Sequence, residues 1–355
     1  MRLAAFVAIA VVLWSFCAAA QFVSSTGGGA AGNGIDIRGT GLVRNGQAWV
    51  PKGVSTIAFI VTNAQAAGGG ATAAQQRAAR AAFGAPLLNL MHSRFGADTV
   101  RFQLAQVGLD PLNGSYDAAY AGQITTGVNL ALSMGFAVIL TIDADAFSGG
   151  SSTMPDAGTV RAWQTIGPSF ANNRNVMFEV FNEPQEVNSA GARTDWVNGM
   201  APAIAAIRAL PANNILVLDG LQFARDLRNM SLTGLGDTYA GRAIFGVHPY
   251  FMPGYVDATT WDAWFGSGAQ ASNPVMISEW SFNAAGCLAG DGSTVNALLA
   301  YVKSKHFGMT FWAIDYTPTL TQDVVSYPPT VMDNFTACGD GSGAGAGALF
   351  AAFTP

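Results

Sequence analysis

Charge is what this chain has least of. Of its 355 residues, 17 are Lys or Arg and 22 are Asp or Glu, giving −5 with the three histidines neutral. Charged residues make up 11%, against roughly 25% in an average soluble domain. No basic run occurs, so nucleic acid and anionic lipid have no electrostatic footprint to meet. Cysteines number three and histidines three, too few to assemble a metal cage easily. No metal and no cofactor are expected. Also absent are a Gly-x-Ser-x-Gly elbow, a phosphate-binding loop, a His-Glu-x-x-His pair and a dinucleotide-binding glycine fingerprint after the first strand. What is abundant is apolar: half of the chain is hydrophobic, enough for a large core and the reverse of a disordered composition. The 42 glycines point to many tight loops on that core.

The first residues read as a leader. Arg2 precedes eighteen uncharged residues, Leu3 to Ala20, and Ala18-Ala19-Ala20 has the small-x-small form of a cleavage site before Gln21. The alternative is a membrane anchor, because the run is near the lower length limit of a span. The domain reading is therefore a signal peptide at 1–20, one domain at 21–338 and a Gly/Ala-rich tail at 339–355, of which 339–347 reads as flexible. The protein is expected to be secreted or periplasmic, off the membrane once cleaved, and monomeric. Cys17 leaves with the leader, so Cys287 and Cys338 remain. An even count in an exported chain suggests one disulfide. Its loop of 51 residues is worth about 4 kcal/mol in the chain-entropy picture.

Eight short apolar, β-branched or aromatic runs recur: Val50–Thr56, Thr99–Leu104, Ala137–Asp143, Val176–Asn182, Ile215–Asp219, Ala243–Tyr250, Pro274–Trp280 and Met309–Asp315. Helix-like segments lie between them. Ala71–Ala82 is built of strong helix formers, and Tyr116–Met134 and Trp196–Leu210 carry apolar residues at helical spacing. Thr62–Gly70 reads as a long loop. Strand and helix alternate throughout, which argues for parallel βαβ units and an α/β fold. Eight units fit a TIM barrel; the rival, a doubly wound sheet, lacks its glycine fingerprint.

With other chemistries set aside, carboxylates remain. Glutamate is rare: only Glu179, Glu183, Glu186 and Glu279 occur. Glu183 and Glu279 stand at the ends of strand-like runs. In a parallel barrel every strand C-terminus faces the rim that carries the active site, so these two acids are expected to meet there. A carboxyl pair flanking a bond is the machinery of glycoside hydrolysis. Glu179, four residues before Glu183 with the same strand parity, reads as a structural ion-pair acid deeper in the barrel. Glu186, His92 and His306 gain no role.

Several landmarks in order resemble glycoside hydrolase family 5, a cellulase-like family of clan A. They are Pro51-Lys52-Gly53-Val54-Ser55 on the first strand, Arg101 on the second and Asn182-Glu183-Pro184 after the fourth. His248-Pro249-Tyr250 on the sixth, Ser278-Glu279-Trp280 on the seventh and Phe311-Trp312 on the eighth complete the set. The resemblance spans residues 38–320 and implies a retaining β-glycosidase on a TIM barrel. By position it makes Glu183 the general acid/base and Glu279 the nucleophile. Chemistry fits: Glu183 has to donate a proton to the leaving oxygen, while Glu279 has to stay ionised, for which Arg101 and Tyr250 are the candidate donors. Asn182 suits the sugar 2-hydroxyl, His248 a hydrogen bond on the acid's side, and Trp312 the C–H face of a pyranose. One departure stands out. Where the family's third strand usually ends in Asp-x-His, Asp143 takes the histidine's place, and either Asp143 or Asp145 would supply the sugar contact there.

The functional expectation is an exported retaining hydrolase of a β-linked polysaccharide or oligosaccharide, best read as an endo-β-1,4-glucanase. An endo-β-mannanase, another β-glucanase, a transglycosylase and a non-catalytic carbohydrate-binding barrel are the alternatives. Rim aromatics Phe147, Phe251, Trp261, Trp264 and Trp280 are unplaced by sequence.

Overall fold

The computed structural model describes residues 34–210, 212–238, 241–269, 271–281, 292–316 and 346–355. The segment 1–20 read as a leader, Cys287 and Cys338 lie outside them. Three short antiparallel strands open the described chain: β1 (Ile35–Arg38), β2 (Gly41–Arg44) and β3 (Gln47–Trp49). Eight parallel strands follow: β4 (Lys52–Thr56), β5 (Thr99–Ala105), β6 (Ala137–Asp143), β7 (Val176–Glu179), β8 (Leu216–Asp219), β9 (Ala243–Val247), β10 (Val275–Trp280) and β11 (Gly308–Phe311). They close on themselves, β11 pairing β4 and β10 pairing both β9 and β11. This is the expected TIM barrel. Each of the eight sequence runs carries one strand. Several strands stop short of the runs, as at Glu179, Val247 and Phe311, because the chain leaves the ladder there to form the rim.

Strand alternation sorts the side chains into two cores. On β5, Val100, Phe102 and Leu104 face the surrounding helices, as do Val138, Leu140 and Ile142 on β6. The opposite parity fills the barrel. Its lower layer is apolar, with Ala137, Ile139, Met177, Val217, Ile244 and Met276 packed against Ile35 and Leu42 of the N-terminal sheet. That sheet therefore plugs the bottom. The upper interior is polar and buried: Arg101, Glu179, Asp219, His248 and Ser278 are each 0% exposed.

The helices start where capping residues allow. Asp117 caps Ala118–Ser133, Asp156 caps Ala157–Ile166 and Ser189 caps Ala190–Arg208. Ala71–Ala82 is helical as read. Thr62–Gly70 is not simply a loop, because Thr62 and Gln65 form a reciprocal capping box on a short helix, Asn63–Ala66. Within 339–355, Ala346–Ala352 forms a helix whose Phe350 and nearby Phe353 are buried in the main core. Lys52 Nζ donates to the Phe353 carbonyl at 2.6 Å and to that of Ala351 at 3.3 Å. Two phenylalanines three residues apart give this Ala-rich end a face to bury. Among the described residues no helix is long and apolar enough to cross a membrane.

Candidate active site

The C-terminal rim of the barrel holds a cleft of about 280 Å³. Gln103, Asp143, Asn182, Glu183, Tyr250, Glu279 and Trp312 line it, joined by Asp145, Phe147 and Arg225. The candidate catalytic and sugar-binding residues from the sequence are all in this cleft or directly beneath it. Glu183, Glu279 and His248 each place one polar atom within 4.8 Å of the other two.

Glu279 reaches the cleft because β10 is irregular. Met276 and Ser278 point into the barrel, so plain alternation turns Glu279 outward. The pairing with β11 slips by one residue between Ile277 and Trp280, and this bulge re-aims the carboxylate. Three donors then converge on it. Arg101 Nη1 lies 2.5 Å from Oε2, Gln103 Nε2 3.1 Å from the same oxygen, and the Tyr250 hydroxyl 2.7 Å from Oε1. Burial raises the pKa of Glu279, and the Glu183 carboxylate adds to this, while Arg101, His248 and the Tyr250 hydrogen bond oppose it.

Glu183 sits just past β7 with φ of 52°, in the left-handed region that a side chain rarely adopts. Its amide donates to Asp219 Oδ2 at 3.1 Å, which holds this conformation. Its Oε1 is 2.9 Å from His248 Nδ1. Burial works against a charged His248, but Asp219 and Glu279 outweigh it, and the pKa lies well above the usual imidazole value. Both ring nitrogens face oxygen atoms, Nδ1 the Glu183 carboxylate and Nε2 Ser278 Oγ at 3.1 Å and Asp219 Oδ2 at 3.3 Å. Gly246 makes room for this layer: a Cβ there would sit 2.2 Å from Asp219 Oδ1.

Below the cleft, Arg101 binds Glu179 through two nitrogens, at 2.6 and 2.8 Å, and donates to Asn182 Oδ1 at 2.7 Å. Glu179 is thus the deep ion-pair acid. Burial would raise its carboxyl, yet Arg101 and His248 bring it down to about 2. Asp143 and Asp219 go the other way. Burial holds both well above the usual carboxylate range, reinforced by Asp145 beside the first and Glu179 beside the second. Glu179, Asp219 and His248 form a second group of atoms within 4.8 Å of one another. A cation at either acidic group would compete with the Arg101 guanidinium, which already neutralises Glu179 and Glu279.

Asp143, at the departure from the family pattern, accepts from Ser148 Oγ and from the Asp145 amide. Asp145 itself accepts from the amides of Phe147 and Ser148. Of the rim aromatics, Phe147 lines the cleft, Phe251, Trp261 and Trp280 are buried, and Trp264 packs on Tyr255. Sequence reasoning missed Gln103, Asp219 and Arg225. Asp219 ends a strand run as Glu183 does, and the same rule would have found it. Gln103 follows Arg101 by two residues and so shares its inward face.

Comparison with known proteins agrees with this geometry. The family model for Cellulase (glycosyl hydrolase family 5) matches residues 87–317. A manganese dependent endoglucanase of Phanerodontia chrysosporium is 28% identical over 182 residues, covering 46% of this chain and 46% of that protein. The chain thus spans about half the length of this curated relative. Among solved structures, a β-glucanase from Saccharophagus degradans superposes with a TM-score of 0.64 at 19% identity, over 86% of this chain and 91% of that one. The catalytic domain of the major endoglucanase from Xanthomonas campestris pv. campestris gives 0.63 at 16% identity, over 86% and 99%. A β-mannanase from Thermomonospora fusca gives 0.59 at 19%, over 91% and 98%. At these identities the structural likeness speaks for the barrel alone.

Proposed function

We propose that this chain, which belongs to the cellulase family, glycosyl hydrolase family 5, is a retaining endo-β-1,4-glucanase acting on a β-linked polysaccharide, with Glu279 as nucleophile and Glu183 as general acid/base. The observation that supports these roles is the approach of the two carboxylates, whose nearest oxygens lie within 4.8 Å at the rim. Retaining enzymes keep the pair about 5 to 5.5 Å apart, whereas an inverting pair leaves about 6.5 to 9.5 Å for a water. Glu183 protonates the leaving oxygen while Glu279, held by Arg101, Gln103 and Tyr250, attacks the anomeric carbon. The glycosyl-enzyme forms and the leaving sugar departs. Glu183 then takes a proton from a water whose oxygen bonds to the anomeric carbon as the bond to Glu279 breaks, which releases the product with its β configuration. Asn182 offers its side-chain amide toward the sugar 2-hydroxyl, and Trp312 and Phe147 supply apolar faces. A purely carbohydrate-binding barrel would have no use for two acids so arranged.

Reducing-end release from soluble β-1,4-glucan, mixed-linkage β-glucan and β-1,4-mannan checks the substrate. The glucans should be hydrolysed at least about tenfold faster, the discrimination that one misplaced hydroxyl contact provides. A preference for mannan would transfer the reading to an endo-β-mannanase. Proton NMR of the first product should show the β-anomer, and an initial α-anomer would refute retention.

Export and the Cys287–Cys338 disulfide belong to the same proposal, which treats the chain as a secreted or periplasmic monomer. Support comes from the leader-like run before Gln21 and the even cysteine count after it. Protein recovered from the periplasm or medium should begin at Gln21 and show no free thiol until reduced. Thiols titratable in the folded, unreduced protein would remove the disulfide.

A further inference from the structure

The carboxylates of Glu279 and Asp143 both line the cleft; Asn182 Nδ2 lies 3.5 Å from Asp143 Oδ2, and the Gln103 amide reaches both acids. Gln103 Nε2 is 3.1 Å from Glu279 Oε2 and 3.5 Å from Asp143 Oδ2. Its orientation is fixed by a third group, because the Trp312 indole nitrogen lies 2.7 Å from Gln103 Oε1. An indole N–H can only donate, so the oxygen of the amide must face Trp312 and its NH₂ must face the two acids. Gln103 is 3% exposed, and water does not substitute for these bonds cheaply.

We propose that Gln103 is a positioning residue for the nucleophile: an amide clamped by Trp312 that separates Glu279 from Asp143 and donates a hydrogen bond to each. The proposal rests on Glu279 being the nucleophile. It also accounts for the acid at 143. Two acids this close cannot both ionise cheaply, and a donor shared between them reduces the cost of charging the nucleophile. Trp312 is the cleft's apolar platform, so a sugar seated on the indole also bears on the group that orients Glu279. The charged and titratable groups facing Glu279 are Arg101 and Gln103's neighbour Asp143, Glu183 from the loop after β7, and His248 and Tyr250 after β9. Of the three donors on Glu279, Gln103 alone also contacts Asp143.

The test uses the whole enzyme and the inactivator 2,4-dinitrophenyl 2-deoxy-2-fluoro-β-cellobioside, which reports only the first chemical step. Intact mass and peptide mapping should place the label on Glu279 in the wild type; a label elsewhere would overturn the nucleophile assignment itself. The pH dependence of the labelling rate then tests Gln103. Removing a donor to a carboxylate raises its pKa, so Gln103→Met should move the acidic limb up by about one pH unit, and the rate below that limb should fall about tenfold. Gln103→Glu, the same shape with an added acid, should move it at least as far, and it keeps the test open if the Met variant is unstable. Combining Gln103→Met with Asp143→Asn should return the limb toward the wild-type position. An unmoved limb in both single variants, with cooperative thermal unfolding retained, would reduce Gln103 to packing. A shift that Asp143→Asn does not relieve would refute the separation of the two acids.

Discussion

Glu279→Gln should lower turnover of any substrate by at least about 10⁴-fold, since no glycosyl-enzyme can form without the nucleophile. The companion variant Glu183→Ala should behave differently. On a polysaccharide it should lose about 10² to 10⁴-fold, the usual contribution of general acid catalysis. On a dinitrophenyl glycoside, whose leaving group needs little protonation, its first step should stay fast. The second step should then be slow, because no base activates water, and the intermediate should accumulate as a burst. Azide needs no base, so it should restore the rate and give a β-glycosyl azide. Glu279→Gly with azide should give the α-azide instead, by attack from the vacated face. The reverse pairing of stereochemistry with variant would exchange the two roles. Absence of rescue in both, with folded protein confirmed, would rule out double displacement.

The rim acids were legible because their chemistry and their position coincide. Four glutamates occur in the chain, two of them end strand-like runs, and parallel strands deliver their ends to one rim. The direction in which Glu279 points was not legible. It depends on the one-residue slip between β10 and β11, and nothing in Ser278-Glu279-Trp280 announces a bulge. Gln103 was hidden for another reason. A glutamine has no titration and no distinctive reactivity, so only the placement of Trp312, Glu279 and Asp143 around it shows what it does. The C-terminal helix was masked by its composition. Glycine and alanine at 339–347 read as a flexible tail, and the contact that fixes the end joins Lys52 to Phe353, far apart in sequence. The barrel came from periodicity, which is local, whereas these three features come from packing between distant segments.

Removing Glu179 should cost more stability than any surface change, although no reacting atom touches it. Glu179 and Arg101 are both 0% exposed and joined at 2.6 Å. Glu179→Gln would leave the guanidinium with the charge of Glu279 alone, and breaking a buried pair costs about 3 to 5 kcal/mol. For a domain of this size that is a fall of about 4 to 7 °C in Tm. The pH dependence carries the sign. The Glu179 carboxyl titrates near 2 in the folded chain against an ordinary 4.5, so its contribution is complete above 4.5 and is lost as pH falls toward 2. Asp143 and Asp219 act oppositely, because burial favours their protonated forms and their contribution is lost as pH rises. The wild-type profile mixes these effects, and the wild-type minus Glu179→Gln difference should shrink below about pH 5, as the Glu179 carboxyl protonates. Replacing both partners, as in Arg101→Met with Glu179→Met, should recover much of the lost Tm, because two apolar groups have no charge left to desolvate. Activity should stay lost, since Glu279 would be without its 2.5 Å donor and Asn182 without its anchor. Differential calorimetry between pH 3 and 8 beside kinetics on the same preparations separates the two effects. A Glu179→Gln enzyme with unchanged Tm, or a double variant as unstable as the sum of its singles, would show that the pair is not what holds this layer of the barrel.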